Sequence, residues 1–259
     1  MRSIWLLGLL GLVGCASVEN RLLYHPAEFV ETDALPTDAT DVSLKTTSET
    51  QIHAHWHLTA NSRGAILYCP GNAGNLQSRA KAVRELGDAL GRSVLIFDYP
   101  GFGKSQGEPN EAGCYEAAGA AYEWLIREAK IAPDRIVLYG ESLGGAVAVD
   151  LASKKPHGAL VLVRAFTSAP EVADYQFPLF PGNWVMTNRF DSLAKIPLCK
   201  SPVFIAQADK DRLVPMRHGE QLLNACVAPA QLCVLKNLGH NDPLPADFHA
   251  ALREFIGPR

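Results

Sequence analysis

One serine stands at a position where the sequence pattern could build a nucleophile. Residues 140–144 read Gly-Glu-Ser-Leu-Gly, which places Ser142 between two glycines. The apolar, partly β-branched run at residues 136–139 indicates a buried strand, and the Ala- and Val-rich run at residues 146–149 indicates a helix. A serine in a glycine-flanked strand-to-helix turn is typical of a nucleophile elbow, which lifts the hydroxyl off the sheet. Ser142 is therefore the candidate nucleophile.

The chain also offers a base and an acid for this serine. A hydroxyl needs a base to take its proton and a third group to orient that base. His240 follows the last predicted strand, and Asp209 and Asp211 lie in the loop after the predicted strand at residues 203–206. The chain order serine, aspartate, histidine is the one expected of an α/β-hydrolase. The spacing leaves both aspartates open as the acid.

Other histidines are poorer candidates for the base. His218 lies on a predicted helix and His249 on the terminal one, so neither follows a strand. His53, His55 and His57 alternate along a polar strand and share one face, where a metal site is an alternative. No carboxylate or further ligand is evident nearby, so we expect a solvent-facing strand and no metal.

Acyl transfer also needs donors for the oxygen that becomes negative. Residues 70–75, Pro-Gly-Asn-Ala-Gly-Asn, follow a short predicted strand. Such a turn can aim one backbone N–H at the site, and Leu143, just after the serine, can supply a second. Alternatively, the glycines only turn the chain. A phosphate loop is disfavoured because no Gly-Lys-Ser/Thr follows.

The elements that must position these residues alternate between strand and helix. This alternation predicts an α/β fold with a mostly parallel sheet covered by helices on both faces. The segments at residues 42–47 and 52–58 predict an antiparallel pair at the sheet edge. Further strands are predicted at residues 65–69, 93–97, 136–139, 159–163, 203–206 and 232–235, and helices at residues 77–90, 111–130 and 248–256.

One segment interrupts the alternation. Residues 166–196 are rich in aromatic residues and proline, and we expect a small lid that lines a substrate pocket. A packed excursion with no role in substrate binding is the alternative. The hydrolase domain is predicted to span residues 42–259, after a lead-in at residues 15–41.

The first residues predict export and a lipid anchor. Arg2 and the apolar run at residues 4–13 form a signal sequence too short to cross a bilayer, and Cys15 follows it. The pattern resembles a bacterial lipobox, which implies that residues 1–14 are removed and that Cys15 is lipidated. By resemblance to enterobacterial lipoproteins, Ala16 favours the outer membrane. An ordinary cleaved signal or a short buried helix is the alternative.

Composition narrows the class of partner. The net charge is −3 and 20% of residues are charged, with no basic stripe to bind nucleic acid. No obligatory protein partner is evident. Of six cysteines, five remain after Cys15, so at least one thiol is free or pairs outside the chain.

Five motifs together resemble one subgroup of the α/β-hydrolases. It includes bacterial lipoprotein-like hydrolases and eukaryotic α/β-hydrolase-domain proteins, some of them depalmitoylating thioesterases. The resemblance extends from residue 23 to the C-terminus. The motifs are Gly-Asn-Ala-Gly-Asn at 71–75, Asp-Tyr-Pro-Gly-Phe-Gly-Lys-Ser at 98–105, Gly-Glu-Ser-Leu-Gly-Gly at 140–145, Asp-Arg-Leu-Val-Pro at 211–215 and Gly-His-Asn-Asp at 239–242.

The resemblance assigns roles to individual residues. It implies Ser142 as the nucleophile, His240 as the base and Asp211 as the acid, and Asn72 rather than Ala73 as the first oxyanion donor. Two positions depart from the subgroup's usual pattern, which has histidine at Pro70 and often glycine at Ala208.

The sequence therefore predicts a membrane-anchored serine hydrolase that acts on a small-molecule acyl substrate, a carboxylic ester or thioester. It needs no metal or organic cofactor. The alternatives are a serine peptidase or amidase of the same fold and a non-catalytic ligand-binding lipoprotein.

Overall fold

An eight-stranded sheet forms the centre of the molecule. The computed structural model describes residues 19–30, 39–179 and 181–257, so the predicted signal at residues 1–14 and Cys15 lie outside the described residues. The strands of this sheet are β2 Ala39–Lys45, β3 Gln51–His57, β4 Ala65–Cys69, β6 Ser93–Phe97, β7 Ile136–Glu141, β8 Ala159–Val163, β9 Val203–Ala208 and β10 Ala230–Leu235. Two short strands, β1 His25–Pro26 and β5 Ala73–Gly74, pair with each other in a separate sheet.

Helices follow most of these strands. They are α1 Ala80–Leu90, α2 Glu111–Arg127, α3 Leu143–Ala152, α4 Ala169–Gln176, α5 Gly182–Val185, α6 Ser192–Lys195, α7 Met216–Ala225 and α8 Ala246–Ile256. Short 3-10 turns occur at Gln77–Arg79, Pro133–Arg135 and Ile196–Leu198, and residues 19–23 are helical. Among the described helices, none is both long enough and apolar enough to cross a membrane.

The order of the main sheet is β10-β9-β8-β7-β4-β6-β3-β2. All neighbours from β10 to β6 are parallel, whereas β3 is antiparallel to both β6 and β2. The predicted mostly parallel sheet with an antiparallel edge is therefore confirmed. Strands β4, β6 and β8 are buried along their whole length, because helices cover both faces of the sheet.

Two hydrophobic clusters hold the layers together. On one face, α2 and α3 pack through residues such as Leu125 and Val147, and on the other α1 and α8 pack through Leu86 and Leu252. The sheet thus keeps a rigid carboxyl edge, from which the loops after β4, β7, β9 and β10 emerge.

Local chemistry sets the helix ends. Helix α2 begins where the side chain of Asn110 accepts the N–H of Gly113 at 2.8 Å, an N-cap. Helix α1 ends at Gly91, which has φ +60° in the left-handed region. The helix predicted at residues 77–90 begins with the 3-10 turn Gln77–Arg79, and the helix predicted at residues 111–130 ends at Arg127.

The predicted lid segment, residues 166–196, contains α4, α5 and α6. Its base is held by Glu111, whose carboxylate accepts the backbone N–H groups of Arg189 and Phe190. Its outer part is apolar and exposed, since Leu179 is 100% and Trp184 90% exposed. The segment is thus anchored at its base and apolar at its tip.

The prediction that the three histidines face solvent is wrong. His55 and His57 are buried, and the side chain of His53 is only 10% exposed. The reason is that β3 lies inside the sheet between β2 and β6, and the ring of Phe29 packs edge-on against His53. Burial, aided by neighbouring His53, lowers the pKa of His55 to about 4. His55 is therefore neutral at neutral pH.

All five cysteines of the described residues are free thiols. Cys69, Cys114 and Cys199 are buried, while Cys226 and Cys233 are half-buried. Burial raises the pKa of Cys226 to about 11, which favours the protonated thiol at neutral pH.

Candidate active site

Ser142 sits on a strained turn between β7 and α3. Its backbone adopts φ 52° and ψ −118°, a combination that residues other than glycine rarely adopt. The turn is tight enough that a Cβ at Gly144 would collide with the carbonyl oxygen of Cys69, at the end of β4. A Cβ at Gly140 would in turn collide with the backbone of Gly144. The two glycines therefore permit the close approach that exposes the serine.

His240 connects the serine to an acid. Its Nε2 lies 2.9 Å from Ser142 Oγ, and its Nδ1 lies 2.7 Å from Asp211 Oδ2. The other carboxylate oxygen of Asp211 accepts the N–H groups of Leu213 and Val214, each at 2.8 Å. Asp211 is buried, and these contacts fix its orientation toward the imidazole. The three predicted residues, 98 and 29 positions apart in sequence, thus form one hydrogen-bonded chain.

The rival residues have other partners. The carboxylate of exposed Asp209 accepts the backbone N–H of Asn237 at 2.7 Å and so holds the loop that leads to His240. His218 is buried on α7, where its Nδ1 lies 2.7 Å from Thr167 Oγ1. His249 lies on α8, as the sequence predicts. The geometry therefore separates Asp211 and His240 from their alternatives.

A buried polar group beneath the site was missed by the sequence analysis. Arg164, directly after β8, is 2% exposed and donates to the backbone carbonyl of Asp242 at 2.6 Å. Its guanidinium lies 3.9 Å from Glu141, which also accepts the Tyr68 hydroxyl at 2.5 Å. Arg164 thereby braces the loop of His240 against the residue before the serine. A charged residue at the end of a wholly apolar strand was the available signal.

The Gly-rich turn lies beside the serine, as predicted. A Cβ at Gly71 would lie 3.7 Å from the Cβ of Ser142, so this turn packs against the nucleophile. The N–H of His25 donates to the carbonyl of Asn72 at 2.8 Å, and the Tyr99 hydroxyl donates to the carbonyl of Pro70 at 2.8 Å. These bonds fix the turn. They also show that Pro70 is accommodated in an anchored turn.

Leu143, the second predicted oxyanion donor, is the first residue of α3. The first N–H groups of a helix have no partner within it, so the N–H of Leu143 can serve a group outside the helix. Together with the turn at residues 70–75, it can stabilise negative charge at a carbonyl held against Ser142. The arrangement has the parts that acyl transfer requires.

The predicted lid segment contacts this site through the acid loop. The side-chain amide of Gln176, at the end of α4, donates to the carbonyl oxygens of Arg212 and Leu213 at 2.6 and 3.2 Å. The segment therefore lies next to the loop that carries Asp211, at the carboxyl edge of the sheet.

A separate group of metal-ligating side chains lies elsewhere. Among the residues that the structure describes, Asp41, His53 and His55 form a group whose ligand atoms lie within 4.8 Å of one another. They belong to β2 and β3, at the far side of the sheet from β9 and β10. This group is distinct from the serine site.

Comparisons with known proteins agree with this fold. Residues 64–187 match the family model described as alpha/beta hydrolase fold. An uncharacterized protein of Mycobacterium tuberculosis is 36% identical over 248 residues, which cover 93% of this chain and 88% of that protein. The alpha/beta hydrolase domain-containing protein aho-3 of Caenorhabditis elegans is 34% identical over 200 residues, which cover 76% of this chain and 58% of that protein.

Solved structures share the same architecture. The esterase Pf2001 of Pyrococcus furiosus superposes with a TM-score of 0.75 at 20% identity, covering 90% of this chain and 100% of the other. An alpha-beta hydrolase from Vibrio vulnificus superposes with a TM-score of 0.67 at 21% identity, over 79% of this chain and 75% of the other. The sheet order, the strained serine turn and these sequence matches lead to one conclusion: the chain belongs to the α/β-hydrolase family.

Proposed function

We propose that this protein is a serine hydrolase that cleaves a carboxylic ester or thioester through an acyl-enzyme. The observation that carries the proposal is the hydrogen-bonded chain from Ser142 Oγ through His240 to Asp211. A base within 2.9 Å of a hydroxyl, oriented in turn by a buried carboxylate, is the arrangement that activates serine for attack on a carbonyl.

Each step of the proposed reaction is assigned to one group. Ser142 Oγ attacks the substrate carbonyl while His240 Nε2 takes its proton, and His240 then gives that proton to the leaving alcohol or thiol. Asp211 keeps the imidazole in the tautomer with hydrogen on Nδ1 and stabilises its charged form. The backbone N–H groups of Leu143 and Asn72 bind the oxyanion. Water, activated by the same histidine, then releases the acyl group.

The acyl group of the substrate is proposed to bind against the lid segment, residues 166–196. Its outer part exposes Phe177, Leu179 and Trp184, and its helix α4 contacts the loop of Asp211 through Gln176. Exposed apolar side chains on a segment that contacts the loop of Asp211 favour a substrate with an apolar acyl chain. This favours an ester or thioester of a fatty acid over a short polar acid.

We further propose that Cys15 is lipidated and tethers the enzyme to the cell envelope. Cys15 precedes Glu19 by four residues, a reach of about 14 Å in extended chain. The carboxylate of Glu19 accepts hydrogen bonds from Thr187 and Asn188, in the lid segment. A lipid on Cys15 would therefore hold the lid segment close to the membrane surface. The substrate would then enter the site near that surface.

Labelling with a fluorophosphonate tests the proposed activity. The wild type should become covalently labelled, and Ser142→Ala should not. Ser153→Ala, at the end of the same helix, is the matched control and should label normally. Esters and thioesters graded by acyl length should then be hydrolysed by the wild type, with longer chains preferred. Undiminished labelling of Ser142→Ala would overturn the assignment of the nucleophile.

A further inference from the structure

Three side chains able to ligate a metal ion meet on the antiparallel strand pair. Asp41 on β2 pairs in register with His55 on β3, and His53 lies two residues along β3 on the same face. Asp41 Oδ1 is 2.7 Å from His55 Nε2 and 2.9 Å from His53 Nε2. Neighbours across and along a strand pair are close enough for their side chains to converge. Three donor atoms thus point at one spot.

Hydrogen bonding alone leaves this group incompletely satisfied. A neutral imidazole carries one N–H, so each ring has one donor and one acceptor nitrogen. If the protons sit on the Nε2 atoms, only that of His53 has hydrogen-bond geometry toward Asp41, and Nε2 of His55 and the buried Nδ1 atoms of both rings have no hydrogen-bond partner among the described residues. If the protons sit on Nδ1 instead, two nitrogen lone pairs face a carboxylate oxygen and repel it. A cation between the three atoms removes that repulsion.

A buried carboxylate lies behind one of the rings. Asp98, 1% exposed, places its Oδ2 3.9 Å from Nδ1 of His53, and this oxygen has no hydrogen-bond partner among the described residues. The other oxygen accepts the N–H of Leu76 at 2.8 Å. Histidines that bind a metal through one nitrogen usually donate the other N–H to a carboxylate or carbonyl. A small movement that closes this 3.9 Å gap would let Asp98 accept the Nδ1–H of His53 and hold its Nε2 toward the ion.

We propose that Asp41, His53 and His55 bind a zinc ion. Two imidazoles and one carboxylate form a ligand set that zinc accepts, with water in a fourth position. That position would face a surface cleft of about 320 Å³, which Asp41 and His53 help to line. The cleft is also lined by Lys104, whose amine lies 3.8 Å from the ring centroid of Phe29.

The proposed ion has a structural role. Strand β3 is three positions from β7 in the sheet, which is about 14 Å at the usual strand spacing. The ion would therefore not touch a substrate held at Ser142. It would instead link the edge strand β2 to β3 through Asp41. The proposal is independent of the serine hydrolase activity.

Zinc titration of the purified protein, stripped of metal with a chelator, tests this site. The wild type should bind one zinc ion per chain in competition with a chromophoric chelator. Asp41→Asn and His53→Gln should each weaken binding by more than the 10- to 100-fold typical of an outer carboxylate, and Asp98→Asn by about that factor. His249→Gln, on α8, should leave binding unchanged.

Loss of zinc binding in Asp41→Asn should occur without loss of folding. Asp41 has a side chain 63% exposed, so asparagine fits without repacking, and circular dichroism should match the wild type. Cobalt should give the strong visible bands of a four-coordinate site in the wild type and lose them in Asp41→Asn. Absence of stoichiometric zinc binding by the wild type, or equal binding by Asp41→Asn, would overturn the proposal.

Discussion

At the scale of single residues, two aspartates in one loop have different partners. Asp211 contacts His240 Nδ1 at 2.7 Å, whereas Asp209 contacts the backbone of Asn237. Asp211→Asn should lower kcat by about 10⁴-fold, because the amide favours the wrong histidine tautomer. Asp209→Asn should change kcat less than about tenfold, since asparagine can still accept the backbone N–H.

Steady-state kinetics with a single activated ester measure both aspartate variants. Unchanged fluorescence and circular dichroism spectra serve as the control for folding. A larger loss in Asp209→Asn than in Asp211→Asn would contradict the geometry and move the acid to Asp209.

The sequence was informative about residues that carry local motifs. Ser142, His240 and the loop that carries Asp209 and Asp211 each follow a strand, so their convergence could be predicted from the order of elements, whereas the choice of Asp211 came from the family resemblance. Asp41 could not be connected with His55, because that contact depends on the register between β2 and β3. The role of Arg164 could not be predicted for a similar reason, since its partner Asp242 lies 78 residues away.

At the scale of elements, the elbow depends on the close contact between α3 and the end of β4. A Cβ at Gly144 would overlap the carbonyl oxygen of Cys69, so the backbone must move to accept any larger side chain. Gly144→Ala should lower the free energy of unfolding by about 2–3 kcal/mol, as overpacking usually does, and should reduce activity by displacing Ser142. Urea denaturation and ester hydrolysis of the same preparation measure the two effects.

Gly119, in the middle of α2, is the matched control for this substitution. A Cβ there would meet no atom within 4 Å. Gly119→Ala should therefore raise the free energy of unfolding by about 0.5–1 kcal/mol, because alanine favours the helix. Equal effects of the two substitutions would show that contact with β4 does not constrain the elbow.

The buried His218, on α7, should make the free energy of unfolding depend on pH. Burial lowers the pKa of His218, whose Nδ1 contacts Thr167 Oγ1. The unfolded chain therefore takes up a proton near the ordinary pKa of 6.5 before the folded protein does. The free energy of unfolding should then fall as pH drops below 6.5, by up to about 1.4 kcal/mol per pH unit for this group.

Denaturation at pH 7.5 and 5.5 tests this dependence. His218→Gln should show a smaller difference between the two pH values than the wild type, and His25→Gln, an exposed control, should show the same difference as the wild type. An undiminished difference in His218→Gln would contradict the assignment to this residue.

Elements were predicted in kind and order better than in extent. Apolar runs were sufficient to locate β4, β6 and β8, because strands buried on both faces lack alternation. The helix predicted to Lys130 ends at Arg127, where the backbone leaves the helical path before Pro133. The burial of β3 could not be predicted, since its polar side chains are covered by elements distant in sequence.

At the scale of the whole molecule, Glu19 connects the N-terminal lead-in with the lid segment through Thr187 and Asn188. Cys15→Ser should move the protein from the membrane fraction to the soluble fraction or block its processing. A single acyl chain binds bilayers only weakly, at about 10⁴ M⁻¹, whereas several anchor stably. Fractionation followed by intact-mass analysis should show acyl mass on a wild-type chain that begins at Cys15.

Cys226→Ser, at a half-buried thiol, provides the control for the tether and should remain in the membrane fraction. A soluble wild type without acyl mass would contradict the lipid anchor. It would leave the serine chemistry untouched, because Asn72 is the first residue of the chain assigned to that chemistry.

The covalent intermediate provides the most direct test of the central claim, that Ser142 acts as a nucleophile activated by His240 and Asp211. Rapid mixing of the wild type with an activated acyl ester, followed by acid quench, should show a burst of about one leaving group per chain. The acyl mass should map to the peptide that contains Ser142, and Ser142→Ala should show neither burst nor mass. Acyl mass on another residue, or a full burst from Ser142→Ala, would contradict the account.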